Sequence, residues 1–128
     1  MPYEITIERT FSAAYAIRLP DESLEPNHGH NWPVAVTLGA NTLDPIDTVM
    51  DFHELEGWLD EILAPADNND LNMLEPFRHT KVNPTAERVA WWIGTAVSER
   101  LSDDRIRLLS VRVGEAPGCF AAWRPEGG

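Results

Sequence analysis

The feature that most limits how this chain can fold is a change in hydrophobic period, from two to about 3.6 and back to two. Tyr3, Ile5 and Ile7 alternate with Glu4, Thr6 and Glu8, the pattern of a strand with one buried face. That reading makes Tyr3 to Ile17 largely strand. Asn31 to Ala40 repeats it, with Trp32, Val34, Val36 and Leu38 on one side. The middle of the chain is helical in spacing. Phe52, Leu55, Leu59, Ile62 and Leu63 predict a helix of about a dozen residues. Asn83-Pro84 opens a second, because Asn caps well and Pro is tolerated at the first helical position. Its stripe is Val89, Trp92, Ile93, Ala96, Val97 and Leu101. Arg105 to Gly114 returns to period two, with the alternation slipping at Leu109, and Cys119 to Trp123 is a short fourth strand. The polar, proline-bearing stretches Arg18–Asn27 and Ala64–Val82 read as loops. The order ββααββ predicts a single α+β domain over residues 1–128, a four-stranded antiparallel sheet with two helices on one face.

Charge and composition remove several functions. A net charge of −11 repels phosphate backbones, so no nucleic-acid partner is expected. No run of eighteen apolar residues occurs, so no membrane span is expected. Met1-Pro2-Tyr3-Glu4 leads straight into the strand pattern, without the profile of a signal peptide. The single cysteine, Cys119, leaves no internal disulfide and fits a cytoplasmic location. The partner class that remains is a small molecule.

His28-Gly29-His30 gives the chemical clue. Histidines at i and i+2 on a strand face the same way, which suits two ligands of a zinc ion. His53 and His79 are expected at the surface, at a helix start and in a loop.

These motifs in this order are those of a known family. Phe11-Ser12-Ala13-Ala14, His28-Gly29-His30-Asn31, Asp51-Phe52, Leu71-Asn72, Pro84-Thr85-Ala86-Glu87 and Glu115 together resemble the 6-pyruvoyltetrahydropterin and 6-carboxytetrahydropterin synthases. The resemblance spans nearly the whole chain. It implies the tunnelling fold, in which subunits join their sheets into a barrel, with active sites at subunit interfaces. It also implies a three-histidine zinc site, a catalytic cysteine with an Asp–His pair, and a glutamate that anchors the pterin.

Carried over position by position, the resemblance exposes departures. Tyr15 stands where the first zinc-ligand histidine belongs, while His28 and His30 match the other two. Leu24 stands at the cysteine position. Asp67 matches the aspartate of the pair, and Asn68 replaces its histidine. Glu115 matches the anchor. Some family members use a glutamate near the missing cysteine, and Glu25 is the candidate here, although its spacing to His28 is one residue off that variant. Neither Leu nor Asn titrates near pH 7, so the family's proton relay cannot run as built. Two imidazoles and a neutral tyrosine make a weak zinc site or none. No cofactor is expected, with zinc left open.

The chemistry expected is acid–base catalysis on a small amine or nitrogen heterocycle in specialised metabolism. Asp67, Tyr15, His28, His30 and Glu25 are the candidates to move protons. Glu115, Trp32, Trp123, Asn68 and Leu24 are the candidates to contact substrate, the tryptophans as flat aromatic surfaces. A specific version is Pictet–Spengler amine–aldehyde condensation and ring closure by a lyase- or cyclase-type enzyme. Three alternatives stay open: a zinc-dependent pterin synthase, a non-catalytic pterin- or amine-binding module, and a structural subunit. A homo-trimer or homo-hexamer is expected, because an open sheet leaves two edges with little edge protection.

Overall fold

The computed structural model describes residues 1–125. Two long strands, β1 (Tyr3–Tyr15) and β2 (His28–Ala40), pair antiparallel along their whole length. The helix α1 (Phe52–Leu63) follows. A two-residue strand β3 (Asn69–Asp70) precedes a 3₁₀ turn, Leu71–Met73. The second helix, α2 (Ala86–Arg100), leads into β4 (Ile106–Ala116) and β5 (Cys119–Trp123). The sheet order is β3-β1-β2-β4-β5.

This corrects the expected four-stranded antiparallel sheet to five strands of mixed direction, because β3 runs parallel to β1 through Ala13–Asn69 and Ala14–Asp70. A two-residue strand inside a polar loop carries no period to read. The second strand also begins earlier than expected, so that His28-Gly29-His30 lies inside it rather than before it. The slip at Leu109 is real. Thr37 pairs with Ser110 and Leu38 with Leu108, leaving Leu109 out of the ladder.

One face of the sheet is the core. Phe11, Trp32, Val34, Val36, Leu38, Val111 and Val113 are buried there against Leu55 and Leu59 of α1 and Val89, Ile93 and Val97 of α2. Asp51 caps α1 by accepting the His53 N–H at 2.9 Å. Phe52, placed on the apolar stripe by its spacing, is half exposed at the first turn. The cap of α2 is Thr85, which accepts the Arg88 N–H at 3.2 Å, and not Asn83 as expected.

Asn83 does something else. Its side chain accepts the Arg18 N–H at 2.8 Å and donates to the Arg18 carbonyl at 3.0 Å. Asn72 does the same for Ala16, at 2.8 and 3.0 Å. Two amide side chains thus mimic a neighbouring strand beyond Tyr15, satisfying backbone groups that the ladder no longer reaches. They hold Ala16–Arg18 straight as the chain leaves the sheet. The loop then returns, and Glu25 donates its N–H to the Ile17 carbonyl at 3.0 Å. Among the described residues no helix is long and apolar enough to cross a membrane.

Candidate active site at the Tyr15 end of the sheet

Tyr15 pairs with His28 in the β1–β2 register, and His30 follows on the same face of β2 by strand parity. Rings crowd together here. Tyr15 lies 5.7 Å from His28 and meets His30 edge-on at 5.3 Å, centroid to centroid. His30 rests on Trp32 at 4.1 Å. Glu115 comes from the neighbouring strand, where the β4–β5 ladder passes from Gly114–Phe120 to Ala116–Cys119 and skips it. A skipped residue is where a sheet can redirect a side chain. The Tyr15 hydroxyl donates to Glu115 Oε1 at 2.8 Å.

The loop supplies a second carboxylate. Glu25 Oε1 lies 3.8 Å from His28 Nε2, ion-pair range rather than a hydrogen bond, and also accepts the Ile17 N–H at 3.3 Å. The half-exposed His28 ring is open to solvent. His30 is different: its Nε2 is buried and has no hydrogen-bond partner.

Electrostatics acts on two members, the buried Tyr15 and the partly buried His30. Burial, then the hydrogen bond to Glu115 and the charges of Glu115 and Glu25, push the Tyr15 phenol up to about 12. Burial lowers the pKa of His30, with His28 adding to the fall and Glu115 opposing it. Tyr15 is therefore a neutral phenol, and His30 a neutral imidazole, at pH 7.

The other sequence candidates fall elsewhere. Trp32 is fully buried and donates its indole N–H to the Ala13 carbonyl at 3.3 Å. Its expected contact with substrate is corrected to a supporting one, beneath His30. Trp123 packs on α2, where a Cβ placed on Gly94 would come within 2.4 Å of its ring. Its expected role as a binding surface gives way to helix–sheet packing. Asp67 accepts the Ser12 N–H at 2.9 Å, and Asn68, at φ 62°, donates its N–H to the Ser12 carbonyl at 2.6 Å. Ser12 is three residues before Tyr15 and so faces the opposite side of the sheet. Asp67 is thus tied to Ser12 on β1, while Asn68 lines a shallow surface pocket together with His30. Leu24 is exposed, bridged through its backbone to Arg18. His53 and His79 are surface residues paired with Glu56 and Glu75. Sequence reasoning missed Asn72 and Asn83 as the groups that hold the loop carrying Glu25. The only signal was their place beside strand ends.

The zinc that the resemblance implies can be tested on the donors. A tyrosine ligates through its phenol oxygen, and here that hydroxyl donates to Glu115 at 2.8 Å. That leaves two imidazoles, fewer than the three protein ligands of a catalytic zinc. Among the described residues no three His, Cys, Asp or Glu side chains converge as a metal set would require. The donor set does not fit zinc.

A cavity of about 930 Å³ opens at the far end of the sheet between Tyr3, Ile46, Phe52 and Leu101. Arg105 beside it spends its guanidinium on the Thr42 and Val49 carbonyls and on Asp103. No histidine lines that cavity.

Comparison with known proteins gives the family and the fold. A model of the family described as 6-pyruvoyl tetrahydropterin synthase matches residues 4–126. A dihydroneopterin monophosphate aldolase from Pyrococcus furiosus is 28% identical over 96% of this chain and 100% of its own length. A 6-carboxy-5,6,7,8-tetrahydropterin synthase from Rickettsia bellii is 26% identical over 86% of this chain and 91% of its own. The solved 6-pyruvoyl tetrahydropterin synthase of Caenorhabditis elegans superposes with a TM-score of 0.73, 25% identity and 97% coverage of both chains. That of Plasmodium vivax gives 0.76 at 18% identity, covering 96% of this chain and 97% of its own.

Proposed function

The chain belongs to the 6-pyruvoyl tetrahydropterin synthase family, and from that premise we propose that it is an acid–base enzyme acting on the side chain of a small, pterin-like nitrogen heterocycle. The observation that carries this reading is the presence, on one sheet face, of a carboxylate held by a phenol and an open imidazole beside a second carboxylate.

Glu115 is the anchor. Its Oε1 receives the Tyr15 hydroxyl, and its other oxygen is left to accept an N–H from the heterocycle, a charge-assisted bond. His28 moves the proton. It is exposed, and Glu25 lies close enough to steady the imidazolium formed when His28 takes a proton from the substrate. In side-chain cleavage that proton comes from a hydroxyl, the adjacent carbon–carbon bond breaks to leave a carbonyl on the departing fragment, and the imidazolium returns the proton to the carbon left on the heterocycle, with Tyr15 protonated throughout. His30 and Trp32 form the packed wall behind the site. Asp67 and Asn68 join the reaction through a neighbouring subunit, in a closed trimer or hexamer that completes the barrel.

The names of the relatives, an aldolase and a carboxytetrahydropterin synthase, favour cleavage or rearrangement of a pterin side chain over the condensation of an arylethylamine with an aldehyde. Both are put in one assay. Purified protein is incubated with dihydroneopterin, its mono- and triphosphate, and separately with an arylethylamine plus an aldehyde, and products are read by mass spectrometry. Turnover of a pterin, lost in His28→Ala, supports the proposal. Turnover of the amine–aldehyde pair alone replaces it with the condensation reading. Binding without turnover of either reduces the protein to a binding module.

A further inference from the structure

We infer that this protein works without zinc because Tyr15 stands at a ligand position and commits its hydroxyl to Glu115. The family arranges three imidazoles around an ion, and this chain puts a phenol between the other two side chains. Four observations on the same few residues support this. The Tyr15 oxygen is committed to Glu115 at 2.8 Å as a donor, whereas an ion would need its lone pair free of a proton. The Tyr15 ring stands edge-on to His30 at 5.3 Å, with Trp32 at 4.1 Å from His30. His30 Nε2 is buried against these rings and has no hydrogen-bond partner. Finally, His28 Nε2 lies toward Glu25 at 3.8 Å. Among the described residues no three His, Cys, Asp or Glu side chains gather around one centre.

Tyr15 then has a definite role as a positioning residue. Glu115 lies where the ladder skips a residue and is exposed, so little backbone structure fixes its carboxylate. The phenol fixes it, at the base of a packed wall of rings. An ion would organise the site by drawing ligands inward. Here a single hydrogen bond between β1 and β4 does so, and it needs no loading step.

The inference rests on the proposed site but is tested separately from its activity. The full chain, purified without chelator and then dialysed with and without micromolar zinc, is measured by elemental analysis, and cobalt(II) is added to seek tetrahedral absorption bands. The native protein should retain far less than one zinc per chain and show no such bands. Tyr15→His, which restores the third imidazole, should retain zinc and give the bands. Tyr15→Phe should remain metal-free and fold normally, but bind dihydroneopterin roughly tenfold or more weakly, because the carboxylate loses its partner. One zinc per chain in the native protein would overturn the inference, as would Tyr15→Phe binding the pterin as tightly as the parent. The metal measurement uses no substrate, so it can fail while the acid–base reading stands, and the reverse.

Discussion

The Tyr15 hydroxyl and the Glu115 carboxylate, 100 residues apart in the chain, meet at 2.8 Å across β1 and β4. The strand β2 lies between their strands, so the bond crosses the sheet's face at the end where His28 and His30 sit. It ties the first strand to the hairpin end of the fourth. The proposed anchoring of a ligand and the inferred exclusion of a metal both rest on it.

Replacing Glu115 with Gln keeps the side chain's size and leaves an amide oxygen to receive the Tyr15 hydroxyl. What is lost is the charge. Affinity for an N–H-donating heterocycle should fall about tenfold or more, given the roughly 1.5–3 kcal/mol of a hydrogen bond to a charged group. The unfolding midpoint should barely move, since no cavity is made. Isothermal calorimetry beside thermal denaturation measures the two effects separately. Unchanged affinity would place the ligand elsewhere.

Stability should fall at both ends of the pH scale for two named reasons. The pKa of Tyr15 is raised from 10.0 to about 12, so the unfolded chain loses that proton first as pH rises. Its contribution is whole below pH 10 and is lost as pH climbs through about 12. That of His30 is lowered from 6.5, so the unfolded chain gains that proton first as pH falls. Its contribution is whole above 6.5 and declines below it. Urea melts across pH, with Tyr15→Phe as the control that flattens the alkaline limb, check the signs.

Gly94 lies where Trp123 presses on α2, and a Cβ there would come within 2.4 Å of the indole. Ala normally gains about 1 kcal/mol over Gly inside a helix. Overpacking of this kind costs about 1–3 kcal/mol, so Gly94→Ala should be neutral to destabilising, reversing the usual sign. Combining it with Trp123→Ala should recover the helix gain in the cycle's coupling energy.

An open five-stranded sheet exposes the backbone of β5 on one side and most of β1 on the other. Closing a ring with copies of itself removes those edges. Light scattering at micromolar concentration should give a trimer or hexamer. If so, a Tyr15→Phe chain mixed into assemblies of Asp67→Ala chains should regain activity, because each site would draw on two subunits. A stable monomer would leave Asp67 outside the chemistry.

The sequence alone determined the elements whose signals are local. Strand period, helix stripes and the slip at Leu109 were legible because each side chain's face follows from its own neighbours in the chain. The family was legible too, because short motifs fall in order at fixed intervals, and Glu115, His28, His30 and Tyr15 could be placed by position. Tertiary structure decided what the side chains touch. The burial of Trp32 and the packing of Trp123 on Gly94 depend on which surface covers them, and a tryptophan reads alike in a core and in a pocket. Asn83 looked like a helix cap because Asn accepts an N–H in either setting, and only the approach of Arg18 chose its partner. The parallel pairing of β3 is two residues long, too short for any period. The bond from Tyr15 to Glu115 joins residues whose meeting depends on the order of the sheet, and that order is a property of the folded chain.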